Sequence, residues 1–265
     1  MSTPAGSDNP FAPPRATLQA EEALDGEYLP GGRRRPAGNG ATWVAEGWRL
    51  FLRAPLSWVL VTVVFCGLYI VVSLVPIVGW MVDNVLVPVL LGGLMLGCQR
   101  IERGEAFSVS DLFSGFTHRA GPLMLLGLLY LLASVLIFVV VLVFFGATMM
   151  PYFLPGLAHA TPPAIPDFRL LLLAVLVMLA LTIPLYMAIW FAPALVVFHD
   201  VKPAAAMRAS FGACASNFVP FLVYGVVTFV IAIVATIPLG LGWLAFMPVL
   251  WASEYAGYRD IYIEA

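Results

Sequence analysis

Charged residues make up only 11% of this 265-residue sequence, and it has just three cysteines. A water-soluble domain carries charge on about a quarter of its residues. The charge here is too sparse to coat a folded surface of this size, so a globule solvated by water throughout is excluded. The formal net charge of −2 leaves no electrostatic footprint for nucleic acid, and no zinc or base-stacking motif accompanies it. Cys66, Cys98 and Cys214 form no C-x-x-C pair, and Cys66 and Cys98 sit in apolar runs where a thiol behaves as a small hydrophobe. None of His118, His159 and His199 has a second ligand three or four positions on, so no metal motif arises. G-x-S-x-G, H-E-x-x-H, the phosphate-binding loop and the dinucleotide fingerprint are also missing. The sequence therefore reads as non-enzymatic, with no catalytic, cofactor-binding or metal-binding residue to name.

What is plentiful is apolar surface. Hydrophobic residues make up 62% of the chain, and the mean hydropathy is +0.96. Runs of about 20 apolar residues mark bilayer crossings. Six are expected: roughly Leu56 to Val78, Val85 to Ile101, Gly121 to Ala147, Arg169 to Phe198, Asn217 to Ile237 and Leu241 to Gly257. Pro88, Pro184, Pro193 and Pro248 fall inside these runs, which membrane helices tolerate when neighbours satisfy the freed carbonyl. "PIVGWMVDN" and "PLGLGW" close the first and last pairs tightly, and a longer connection at 148–167 joins the middle pair. The fold class expected is an all-α integral membrane protein of six transmembrane helices in three helical hairpins.

Residues 1–40 are rich in Pro, Gly, Ala and charge and contain no apolar core of a signal peptide. They read as a disordered cytoplasmic tail, followed by a single transmembrane domain over 41–262. Six crossings place the tail, the 102–120 and 199–216 connections and the C-terminal residues on one side. Twelve of the 13 Lys and Arg then share that side, and only Arg169 falls on the other. By the positive-inside rule both termini are expected in the cytoplasm of a bacterial cell, with the chain in its inner membrane.

Shifted by 160 positions, part of the sequence matches itself. Phe51 falls on Phe211, and "PVLLGGLMLGCQRI" from Pro88 falls on "PVLWASEYAGYRDI" from Pro248. A weaker third copy runs through Phe116. Three units, about 41–105, 106–198 and 199–262, are expected, each a short amphipathic surface helix followed by a hairpin, in a pseudo-threefold repeat. Trp48, Arg49, Phe51 and Arg53, with Phe116 and Phe211 in the other units, are read as interfacial anchors. Gly93 with Gly97, and Ser253 with Gly257, repeat a small-x-x-x-small spacing that lets helices approach closely.

Ionisable groups inside a membrane are functional pointers by default, and two qualify. Asp83 is placed in the tight outer connection, reaching interfacial water or capping the second helix. Glu254 is placed within the sixth crossing, near its cytoplasmic end, where Arg259 or Arg208 can pair with it.

"GWRLFLRAP", "LVPIVG", "PVLLGGLMLGCQRIERGE", "DLFSGF", "WFAPALVVFHD", "SFGACASNFVPFLVYG" and "YAGYRDIY" together resemble an uncharacterised family of polytopic inner-membrane proteins of Gram-negative proteobacteria. The similarity covers roughly Ala41 to Tyr262, leaving out the tail and the longer connection of the middle pair. It implies an inner membrane and a multi-helix fold, and brings no catalytic or binding residues with it. A looser likeness of layout exists to membrane domains attached to some glycerophosphodiester phosphodiesterases, but no phosphodiesterase domain is present here. Three functions are weighed: a protein that organises lipids, membrane-protein partners or further copies of itself; a permease with its path along the pseudo-threefold axis; and, with no motif to recommend it, an intramembrane enzyme.

Overall fold

The computed structural model describes residues 26–153 and 168–264. The tail up to residue 25 and most of the connection at 148–167, with His159, lie outside them. In chain order the elements are β1 (Glu27–Tyr28), α1 (Asn39–Arg53), α2 (Pro55–Ser73), α3 (Val78–Glu102), a 3-10 turn (Val109–Phe113), α4 (Ser114–His118), α5 (Ala120–Phe153), α6 (Phe168–Trp190), α7 (Ala192–His199), α8 (Pro203–Ser216), α9 (Phe218–Thr236), α10 (Trp243–Tyr262) and β2 (Ile263–Glu264). Among the described residues the regular structure is helical apart from one two-stranded antiparallel ladder, Glu27 opposite Glu264 and Tyr28 opposite Ile263.

Among the described residues, five helical stretches are long and apolar enough to cross a membrane: Pro55–Ser73, Val78–Glu102, Ala120–Gly146, Leu171–His199 and Phe218–Thr236. α10, expected as a sixth, falls short on apolarity, because Glu254, Arg259 and Asp260 interrupt it. Leucines and valines stand exposed along α5, α6 and α9, for example Leu136, Leu176 and Val226. So much contiguous apolar surface is stable only against lipid.

Local sequence sets the breaks. Pro55 cannot donate to the turn before it and disfavours helical backbone at Ala54, so α1 stops and α2 begins. Pro203 opens α8 in the same way after the extended Lys202. The break between α6 and α7 has a different cause. Ser210 of α8 donates its hydroxyl to Met187 O (2.7 Å) and accepts from Phe191 N (2.9 Å), standing between the two groups that a continuous helix would pair.

The short helices do not lie apart from the long ones. α1 packs on α10, the 3-10 turn and α4 pack on α3, and α8 packs on α6 and α7. Two of these contacts need glycine. A Cβ on Gly47 would stand 2.6 Å from Val249 O and 2.7 Å from Ser253 N, and one on Gly115 would collide with Val89 O beside Gly93 N.

Three expectations need correction. The first crossing and the second are joined by only four residues, 74–77, because α3 begins at Val78 and not near Val85. Asp83 is thus inside a helix, buried, accepting a hydrogen bond from Ser73 (3.0 Å), and not in a connection. Residues 26–40, expected as part of a free tail, run instead against the end of α10. Finally, the apolar face of α1 meets protein, not lipid: Trp43, Val44, Leu50 and Phe51 are buried against the bundle, while Trp48 is 47% exposed.

Candidate functional site

The segment before α1 is held to the end of α10 by main chain first. Leu29 N donates to Tyr262 O and Arg33 N to Ile261 O, extending the β1–β2 ladder around a turn. That turn is Leu29-Pro30-Gly31-Gly32, closed by Gly32 N to Leu29 O (2.9 Å), with Pro30 pre-setting its backbone and Gly32 at φ 62°.

The turn delivers three arginines, and two reach back. Arg33 donates to the carbonyls of Asp260 and Ile263, each at 2.9 Å. Arg35 forms an ion pair with Asp260. Asp260 is the hub of this end. It also accepts from Asn39 Nδ2 (2.7 Å) and from Trp43 Nε1 (2.8 Å) on α1. Burial by itself would raise this carboxyl; the hydrogen bonds of Arg35, Trp43 and Asn39, with the charge of Arg35, outweigh it and hold the group below its ordinary value. The same carboxylate raises Arg35 further above its own. Asn217, between α8 and α9, accepts from Arg35 N (2.7 Å) and donates to Arg33 O (3.1 Å).

Other connections gather at the same end. Glu102, closing α3, pairs with Arg259 and accepts from Tyr255 Oη (2.8 Å). Arg119 pairs with Asp200 (2.8 Å), and Arg100 with the buried Asp111 (2.6 Å). Tyr28 stacks on His199 with ring centroids 3.7 Å apart, and His199 is hydrogen-bonded to Tyr258.

A cleft of about 350 Å³ opens here between the arginine segment, α1 and the ends of α3 and α10. Its wall carries five arginines and three carboxylates. A second cavity, of about 120 Å³, is apolar and lies between α2, α3 and the segment of the 3-10 turn and α4; Phe65, Tyr69, Leu90 and Phe116 line it, together with Asp83.

The other sequence-predicted residues fall as follows. Arg49 pairs with Glu46 one turn back (2.5 Å), and Arg53 donates to Ile101 O (3.3 Å) and Glu102 O (3.5 Å). Both line the cleft. Phe51 is in the core, Phe116 is half-buried at the apolar cavity, and Phe211 is exposed on α8. Gly93 and Gly97 seat the 3-10 turn and Phe107; Ser253 faces Gly47 and meets Tyr224 Oη (2.9 Å); Gly257 lies against Trp43. Glu254 is half-buried on α10, within electrostatic reach of Cys98, Cys214 and Tyr224. Asp83 and Glu254 are not brought together: Asp83 sits near the start of α3, Glu254 in the second half of α10. Sequence reading missed the hub Asp260 and the pairing of Arg33 and Arg35 with the end of α10. The one signal was the cluster of Gly and Pro around the arginines, which marks a turn as readily as disorder.

The chain is 32% identical over 228 residues to a probable inner membrane protein of Burkholderia thailandensis, an alignment covering 83% of this chain and 82% of that one. No family model and no solved structure matches.

Proposed function

The chain belongs to the family of that inner membrane protein, and we propose that within it this is a non-enzymatic multi-pass protein that organises lipids or partner proteins. One observation carries the reading. Among the described residues, most of the buried hydroxyls and carboxylates are held in bonds within or between helices: Thr62 to Trp58 O, Asp83 with Ser73, Asp111 with Arg100, Ser210 with Met187 and Phe191, Ser253 with Tyr224; the buried Trp58 indole N–H and Tyr262 hydroxyl are the exceptions without such a bond. Groups committed in this way brace helices against each other and leave little to line a polar passage.

The architecture we propose is six crossings in three hairpins, each led by a short helix, around a pseudo-threefold axis. The small-residue contacts support it. Gly47 sits on Val249 O and Ser253 N, Gly115 on Val89 O and Gly93 N, and Ser210 on Met187 O and Phe191 N. Each is a carbonyl and the amide four residues on, and each belongs to the returning helix of the preceding unit, so the three contacts close a ring. The twelve-to-one arginine and lysine bias supports cytoplasmic termini.

Native mass spectrometry of the protein extracted with its surroundings tests the function. Stoichiometric lipid or protein, including a second copy of this chain, is the expected finding; a retained small metabolite would favour the permease. That second reading draws on Glu254, a half-buried carboxylate in the bundle interior. Under it, Glu254→Gln abolishes uptake at normal expression; under ours the substitution leaves lipid and partner retention unchanged.

A further inference from the structure

We propose that the cleft between the arginine segment, α1 and α10 binds a phosphate group, presented by an anionic phospholipid headgroup at the membrane surface. This rests on the lipid-organising reading and gives it a site.

The charge balance of the wall comes first. Three carboxylates line it, and each is taken by one arginine: Asp260 by Arg35, Glu46 by Arg49, Glu102 by Arg259. Arg33 and Arg53 remain. Among the described residues their hydrogen bonds go to backbone carbonyls only, those of Asp260 and Ile263 for Arg33 and those of Ile101 and Glu102 for Arg53. A carbonyl dipole does not neutralise a guanidinium, so the cleft holds two uncompensated positive charges. The bonds of Arg53, at 3.3 and 3.5 Å, are also long for a guanidinium. A phosphate offers what this pair lacks: negative charge and several acceptor oxygens matched to the planar fork of arginine.

Placement argues for a lipid source over a free anion. Arg53 stands at the junction of α1 with the membrane-crossing α2. Next to it on α1 is Leu52, and at the start of α2 is Leu56, both exposed, with Trp48 exposed one turn back. An exposed apolar strip ending in Trp beside arginine is the pattern of a head-group boundary. With the headgroup in the cleft, acyl chains have Leu52 and Leu56 to lie along. A volume of about 350 Å³ admits a phosphate with its glycerol.

The test uses the full chain in detergent, washed free of lipid, then offered phosphatidylglycerol, phosphatidylcholine or inorganic phosphate. Bound lipid is read by native mass spectrometry, and the melting temperature is read alongside. Phosphatidylglycerol is expected to stay bound and raise the melting temperature well beyond phosphatidylcholine. Arg53→Gln is expected to weaken that retention about tenfold, the loss of one charge-assisted contact. Arg208→Gln, at an exposed position on α8 outside the cleft, should change nothing. If inorganic phosphate alone protects to the same extent, and Arg53→Gln removes that protection, the cleft takes phosphate and the source is a soluble anion. Phosphatidylglycerol held equally by wild type and Arg53→Gln overturns the site while leaving the lipid-organising reading intact. Equal behaviour of all three additives, with a protein partner retained instead, overturns the site and the lipid arm of that reading together.

Discussion

At one end of the bundle Tyr255, Tyr258 and Tyr262 are buried to 1% exposure or less, and five arginines line a cleft. At the other, Leu74, Ile77 and Ile237 are largely exposed and Leu239 is 97% exposed on a turn with φ 54°. The same chain meets two solvents. Between helices in lipid there is no hydrophobic drive, since the tails are as apolar as leucine, and association rests on close packing. At the arginine-rich end, burial of the aromatic rings adds to packing, and partly exposed ion pairs set among them fix the geometry. The contrast suggests that the arginine-rich end fixes how the helices are arranged, and the lipid-facing lengths follow.

Breaking the hub should have the largest effect. Asp260→Ala leaves Arg35, Asn39 and the Trp43 N–H without their shared acceptor, and the expected loss is about 3 kcal/mol in unfolding from mixed micelles. The hub also gives a pH signature. Because its folded carboxyl titrates below the ordinary 3.8, its contribution is complete above that value and is lost as pH falls through the lower folded value. Melting temperatures measured down the acid limb should therefore fall in the wild type and stay flatter in Asp260→Asn.

A smaller effect is expected at the α1–α10 contact. Gly47→Leu forces a side chain against Val249 O and Ser253 N and should cost about 2 kcal/mol, read in the same micelles. Smallest, and opposite in sign, is Leu239→Gly at the far turn. It relieves a left-handed backbone and removes a side chain that touches little, so a gain of up to about 1 kcal/mol is expected. A large loss there would contradict the contrast between the two ends.

Five long apolar helices were legible because a run of apolar residues has few other meanings once it exceeds about 18; α10, read as a sixth, is too rich in charge to qualify by the same measure. The breaks at Pro55 and Pro203 were legible too, since proline's missing donor acts locally. α1 was legible as an amphipathic helix, but its periodicity says only that Val44 and Phe51 share a face; whether lipid or α10 covers that face depends on residues 200 positions away. The Arg33–Ile263 contact, 230 residues apart, is beyond any local pattern. The segment that carries it looks like a solvated tail because Gly, Pro and Arg bury little by themselves. Asp83 was misplaced for a plainer reason: a polar residue between apolar runs reads as loop, and a four-residue connection left no room for one.

The ladder that joins residues 27–33 to 261–264 also has a place in time. A ribosome delivers the early strand long before its partner, with every long helix still to come. During that interval the partners that Arg33 and Arg35 hold on α10 do not yet exist. The latch can form only when α10 returns, so its closure marks the completion of the bundle and not its beginning.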